Sequence, residues 1–127
     1  MKAKTLVIVG LLSLAATAPS FAQATGAMAA APKGVRGDML AQLDDAASKL
    51  EQLAGAIPED KLSWRPAQGV RSIGEVIMHV TGGNYFLATF VGVKAPADAP
   101  KGETATSRAD AIAQMKRSFD HVRAAIR

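Results

Sequence analysis

The side chains best suited to chemistry in this sequence are two histidines and one glutamate. His79 lies inside an apolar segment, Glu75 stands one helical turn before it, and His121 lies towards the C-terminus. Imidazole and carboxylate groups bind zinc and similar divalent ions, and a catalytic site usually takes three protein ligands and leaves one position open for water. Because the chain has no cysteine, a metal ion would rely on histidine and carboxylate alone.

His79 is the candidate metal ligand, yet spacing alone leaves two interpretations open. A lone histidine at the edge of an apolar stripe is more often a hydrogen-bonded packing residue than a ligand. Glu75 already fits a helix cap, although it could also serve as a partner of His79 or as a ligand. His121 falls on a polar face, which favours a surface position. Gly82 and Gly83 each cost the helix about 1 kcal/mol relative to alanine, and such glycines mark the close approach of a helix or a ligand.

Other chemical signatures are absent from the sequence. It has no Ser/His/Asp set, no phosphate-binding glycine loop and no haem attachment motif. The chain carries 15 Lys and Arg against 11 Asp and Glu, a formal net charge of +4, but the basic residues are scattered rather than clustered. We therefore expect a solvated charged surface and no nucleic-acid partner.

Residues 1–22 predict a secretory signal peptide. Lys2 and Lys4 precede an apolar run at 6–16, and the sequence SFA at 20–22 is small at the two positions that a signal peptidase reads. The run is shorter than the ~20 residues needed to span a bilayer. Cleavage after Ala22 removes the two lysines, which lowers the net charge from +4 to +2. The mature protein is expected to be periplasmic or secreted, without a membrane anchor.

The remaining sequence predicts a flexible linker at 23–34, rich in Ala and Gly, followed by one small all-α domain at 35–127. A first helix is expected at 35–54. Ser72 and Glu75 form a capping box that starts the second, and Ser107 with Asp110 caps the third. The apolar rows expected to form the core are Met39, Leu43, Ala46, Leu50 and Leu53, then Ile73, Val76, Ile77, Val80, Leu87 and Val91, then Ile112, Met115, Phe119, Val122 and Ile126.

The second helix has a further row beside its main stripe, made of His79, Gly83, Phe86 and Phe90. A helix that is apolar on two sides needs two neighbours to cover it. After this helix, residues 92–106 contain prolines and glycine without apolar periodicity, which is long for a bundle connection. Such a loop could cross over the bundle instead of turning back at once.

Several of these features together resemble the DinB-like superfamily. The resemblance covers residues 35–127, and it is carried by AIPEDKLSWRP at 56–66, VRSIGE at 70–75, and His79, Val80, Asn84 and Tyr85. This family consists of bacterial four-helix bundles regarded as divalent-metal enzymes, with a long crossover after the second helix. The crossover matches residues 92–106.

The resemblance implies a three-histidine site that holds nickel or zinc. In the family the first ligand lies on helix two, where His79 matches it, and the other two lie on helix four about one turn apart. This sequence has no segment that matches helix four, so neither of those ligands can be assigned here, and His121 does not replace them. The resemblance thus implies an incomplete bundle, three helices of a C-terminally truncated four-helix plan.

Two functional hypotheses follow. The first is an exported DinB-like protein whose intact form binds a divalent metal through His79 and acts on a small molecule, as a metal-dependent hydrolase or thiol transferase, with no activity in the shortened chain. The second is a non-catalytic helical interaction module, completed by homodimerisation or by a partner helix, in which His79 is merely packed. The metal content of the purified protein distinguishes them.

Overall fold

The computed structural model describes residues 33–127 and contains, within them, three α-helices and no β-strand. The helices are α1 (Val35–Ala56), α2 (Ile73–Thr89) and α3 (Arg108–Ile126), and a short 3-10 turn at Glu59–Lys61 lies between α1 and α2. The all-α prediction is confirmed. The signal peptide and all but the last two residues of the linker lie outside the described residues, and the missing fourth helix stays a prediction.

Local capping sets the starts of α2 and α3 where the sequence predicts them. At α2, Glu75 N donates to Ser72 Oγ at 3.2 Å, and Ser72 N donates to Glu75 Oε2 at 2.9 Å, which completes the capping box. At α3, Asp110 N donates to Ser107 Oγ at 3.1 Å. The first helix ends at Ala56, two residues later than predicted.

α3 runs antiparallel to α1 and packs against it. Two ion pairs join these helices at different levels: Lys116 Nζ lies 2.8 Å from Glu51, and Arg123 Nε lies 2.5 Å from Asp44. From the first pair to the second, the residue number rises on α3 and falls on α1, so the two helices run in opposite directions. Such exposed pairs contribute at most about 1 kcal/mol each, so they orient the helices more than they stabilise them.

α2 and α3 run in the same direction. Gly74 shares a surface depression with Ala111 at one end, while at the other the Tyr85 ring lies 5.1 Å from the ring of His121. The connection at 90–107 must therefore return along the length of the bundle, which is the predicted crossover. None of the helices within 33–127 has both the length and the apolarity that a membrane crossing requires.

The core lies where α3 meets the other two helices, and the predicted apolar rows are only partly buried. In α1 the buried row is Leu40, Ala47 and Ala54, and in α2 it is Ile77, Met78, Thr81, Tyr85 and Ala88. Several members of these predicted rows are exposed: Met39, Ala46 and Leu53 on α1, and Val76, Leu87 and Val91 of the row assigned to α2. The prediction was wrong for these residues because α1 and α2 bury the sides that face α3, whereas the predicted rows face the gap between α1 and α2.

Candidate functional site around His79

The loop before α2 is fixed to the first turn of that helix. Trp64 O accepts a hydrogen bond from Ile73 N at 3.2 Å, and Leu62 O accepts one from Gly74 N at 2.8 Å. A Cβ at Gly74 would lie 3.3 Å from the Leu62 carbonyl oxygen, so glycine suits this close approach. With the Ser72 cap, these contacts satisfy the N–H groups that a helix start leaves unpaired. The candidate site is built on this fixed corner.

Glu75 is held by the cap and by an arginine from the loop. Arg65 forms a bidentate pair with its carboxylate, in which Nη1 donates to Oε2 at 2.5 Å, and the same Nη1 donates to Val70 O at 2.8 Å. The hydrogen bond from Arg65, and after it that from Ser72 N–H, holds the pKa of Glu75 below its usual range. The capping role predicted for Glu75 is confirmed, and its carboxylate contacts Arg65 rather than His79.

The carboxylate beside His79 comes from the crossover. Glu103 Oε1 lies 2.6 Å from His79 Nδ1, and Glu103 Oε2 accepts a hydrogen bond from Arg71 Nε at 2.5 Å. The bond from Arg71 is the largest cause that lowers the pKa of Glu103, and the bond from His79 adds to it. Glu103, on the crossover, therefore contacts both Arg71, just before α2, and His79, in the middle of α2.

The contact with Glu103 defines which nitrogen of His79 is available. An ionised carboxylate can only accept, so the hydrogen bond requires the proton on Nδ1. In the neutral ring the lone pair then lies on Nε2. The side chain is 57% exposed, which means that His79 is not sealed in the core. Its ring is oriented by a carboxylate, and its second nitrogen carries the lone pair that a metal ion would need.

The donors that the structure describes do not by themselves complete a metal centre. Residues 33–127 contain no group of three or more His, Cys, Asp or Glu side chains placed to hold one ion. Glu75 and Glu103 are each paired with an arginine, so His79 Nε2 is the donor that fits. A centre with three protein ligands would need donors beyond this part of the chain, and residues 1–32 contain no His, Cys, Asp or Glu.

His121 lies in a different place from His79 and is less exposed than the sequence indicates. It is half-buried and packs at a tilt of 55° against Tyr85. Its Nε2 is buried and has no hydrogen-bond partner among residues 33–127. A polar surface position was predicted because Asp120 and Arg123 flank it, but the turn of α3 directs the ring towards α2.

Glu103 is the residue that sequence reasoning missed. It lies 24 positions from His79, in a loop without periodicity, so no spacing rule relates the two. The available signal was chemical: Glu103 is the one carboxylate at the end of the PKGE segment at 100–103, within a crossover expected to run back past α2.

An apolar furrow lies on the other side of Val76 from this polar cluster. It has a cavity volume of about 490 Å³. Of the described residues that line it, only Arg71 is charged, and that guanidinium pairs with Glu103. The lining comes mostly from α1, the loop and α2, with Met115 from α3, and it includes Leu50, Leu53, Ile57, Trp64, Val70, Val76 and Val80. The furrow marks the gap between α1 and α2, opposite the helix that joins them.

The comparison with protein families agrees with this architecture. A family model described as the DinB superfamily matches residues 42–127, about two thirds of the chain. The matched region includes most of α1, all of α2 and α3, and both His79 and Glu103. No curated protein and no solved structure matches the chain. Because the family model covers well over half of its length, the chain belongs to the DinB superfamily.

Proposed function

We propose that this chain is an exported metal-binding protein of the DinB superfamily, in which His79 provides one ligand to a divalent ion, nickel or zinc, through Nε2. The observation that carries the proposal is the His79–Glu103 contact at 2.6 Å beside an exposed ring. Histidines that bind metals almost always donate their other N–H to a carboxylate, a carbonyl or water, and this partner sets the tautomer.

The other ligands of the proposed site are water or groups of another molecule, because residues 1–32 contain no His, Asp, Glu or Cys. The pairing of Glu75 and Glu103 with Arg65 and Arg71 supports this assignment, because both carboxylates already have charged partners. A divalent ion, when bound, supplies a Lewis acid that lowers the pKa of a bound water or thiol. This chemistry suits a hydrolase or a thiol transferase acting on a small molecule.

Metal binding by the purified chain tests the proposal. Equilibrium dialysis against Ni²⁺ or Zn²⁺, followed by elemental analysis, is expected to show a weakly bound ion, since the chain provides one ligand, and its affinity should fall at least about tenfold in His79→Ala. His121→Gln is the matched control, since that ring packs against Tyr85, and it should leave binding unchanged. A folded wild-type chain that binds neither ion, or equal binding by His79→Ala, contradicts the proposal and favours a packed histidine in a non-catalytic module.

The orientation of the ring can be measured without any metal. Long-range ¹H–¹⁵N correlation spectra of the neutral imidazole distinguish a proton on Nδ1 from one on Nε2. We expect His79 to carry it on Nδ1, and Glu103→Ala to shift the population towards Nε2. The His121→Gln variant removes the other histidine signal, so the assignment is direct. A wild-type ring protonated on Nε2 would contradict the role given to Glu103.

Export is tested separately. Expression with the leader in a bacterial host, followed by fractionation and mass spectrometry, is expected to yield a periplasmic chain that begins at Gln23. An uncleaved chain retained in the cytoplasm would contradict export and leave the metal proposal unaffected.

A further inference from the structure

The furrow is the middle of a longer apolar surface, which we call the α1–α2 face. Large apolar side chains continue the two walls of the furrow in helical register. On α1 these are Met39 and Val35, fourteen and eighteen residues before Leu53. Along α2 and just past its end they are Leu87 and Val91, seven and eleven residues after Val80. Those that are about half exposed or more are Val35, Met39, Leu53, Trp64, Val70, Val76, Leu87 and Val91.

The size of this face exceeds what a monomer usually exposes. Each of these eight side chains presents on the order of 100 Å² to solvent, so together they present on the order of 800 Å². The largest apolar patch on a typical monomer is roughly 300–600 Å². A standard protein–protein interface buries roughly 800 Å² on each partner. The α1–α2 face therefore has the area of one half of a stable dimer.

The chemistry of the face also permits pairing with itself. In a two-fold interface the same patch is used by both copies, so any charge on it meets a like charge. Of the described residues that line the furrow, only Arg71 is charged, and Glu103 neutralises it within the same chain. Two copies can therefore bring their furrows together without an unpaired charge from the furrow lining.

We infer that the α1–α2 face is the docking site for a second copy of this chain, which packs its own α1–α2 face into the furrow. This inference concerns residues apart from His79 and does not depend on metal binding. The dimer buries Leu53, Trp64 and Leu87. It leaves Phe86 exposed, because that ring points to the crossover side of α2, where it shares a shallow depression with Lys101 and Glu103.

Sedimentation of the full chain with two matched variants tests this inference. Leu87 and Phe86 are adjacent on α2 and equally exposed, at 60% and 62%, but only Leu87 lies on the α1–α2 face. We expect the wild type to sediment as a dimer at micromolar concentration. Leu87→Asp should weaken dimerisation more than about 100-fold, because it places two unpaired charges in the interface. Phe86→Asp should leave the dimer intact, and circular dichroism checks that both variants are helical.

Trp64 gives a second measurement that needs no variant. It is the only tryptophan in the sequence and is 55% exposed in one copy. Dimerisation should shift its emission to shorter wavelength and reduce acrylamide quenching as concentration rises. A chain that sediments as a monomer at all micromolar concentrations, with Trp64 equally quenched throughout, would overturn the inference. A dimer that survives Leu87→Asp would overturn it as well, whether or not Phe86→Asp removes the dimer.

Discussion

The two sides of α2 carry similar side chains but have different surroundings. On the side that faces α3, Met78, Thr81 and Tyr85 are buried, and the threonine satisfies its hydroxyl by donating to Ile77 O at 3.0 Å. On the opposite side, Val76 and Leu87 remain about half exposed or more. Apolar spacing identifies both sides of such a helix, whereas the position of its neighbour decides which side becomes the core.

On the exposed side of α2, the charged side chains have partners within the chain, whereas the apolar side chains are not covered. Next to the open furrow, Glu75 and Glu103 each have an arginine partner, and His79 has a carboxylate. Polar groups near the surface are thus satisfied within the chain, while apolar groups are not covered. This difference is the basis of the proposed dimer, in which a second copy covers the exposed apolar side of α2.

The largest expected effect comes from removing a side chain on the covered side. Met78 is almost completely buried, so Met78→Ala should lower the free energy of unfolding by about 2–5 kcal/mol through lost burial and a cavity. Phe86→Ala, at an exposed ring on the crossover side of α2, should change it by less than about 0.5 kcal/mol. Urea denaturation measures both. Equal losses would mean that the two sides of α2 do not differ in packing.

A smaller loss of stability is expected from a substitution at the start of α2. Ser72→Ala removes the oxygen that accepts from Glu75 N and should cost about 1 kcal/mol. Ser63→Ala, in the exposed part of the preceding loop, is the control and should be neutral in the same denaturation experiment. A neutral Ser72→Ala would indicate that the Trp64 and Leu62 carbonyls hold this corner without the cap.

Two glycines on α2 should respond in opposite ways to alanine. A Cβ at Gly83 meets nothing within 4 Å, so Gly83→Ala should raise the free energy of unfolding of a diluted, monomeric sample by about 0.5–1 kcal/mol. Gly74→Ala gains the same helix propensity, but its Cβ would press on the Leu62 carbonyl oxygen at 3.3 Å. Its net change should therefore be smaller or negative. A stabilising effect at both sites would mean that the loop yields easily.

The smallest effect is a dependence of stability on pH. Arg65 lowers the pKa of Glu75 in the folded state, although the nearby charge of Glu103 opposes this. A lowered folded pKa gives stability that is present above the unfolded pKa and is lost as pH falls through the folded pKa. Thermal unfolding at decreasing pH should therefore show a shallower loss in Glu75→Gln and in Arg65→Ala than in the wild type. Unchanged slopes in both variants would contradict this pairing.

Local features of the fold could be predicted from sequence, and features that depend on neighbours could not. The caps at Ser72 and Ser107 follow from residues three positions apart, and both are present. The predicted core row of α1 includes Leu43 and Leu50, which pack against the core, but also the exposed Met39 and Leu53, because spacing alone cannot show where α3 lies. For the site, His79 was singled out by the family resemblance and its role as a ligand stays a prediction, while Glu103 was not found, because only the folded crossover brings it near His79.

The position of α3 has a consequence for synthesis. It is the helix that joins α1 to α2, yet it follows both in the chain. A polypeptide emerging from the ribosome therefore exposes two amphipathic helices before their common partner has been translated. Domains generally fold as units, so the nascent chain should remain without tertiary structure until residues 108–126 are free. A chain that folds this late remains accessible to chaperones and to any translocation machinery that handles unfolded polypeptides.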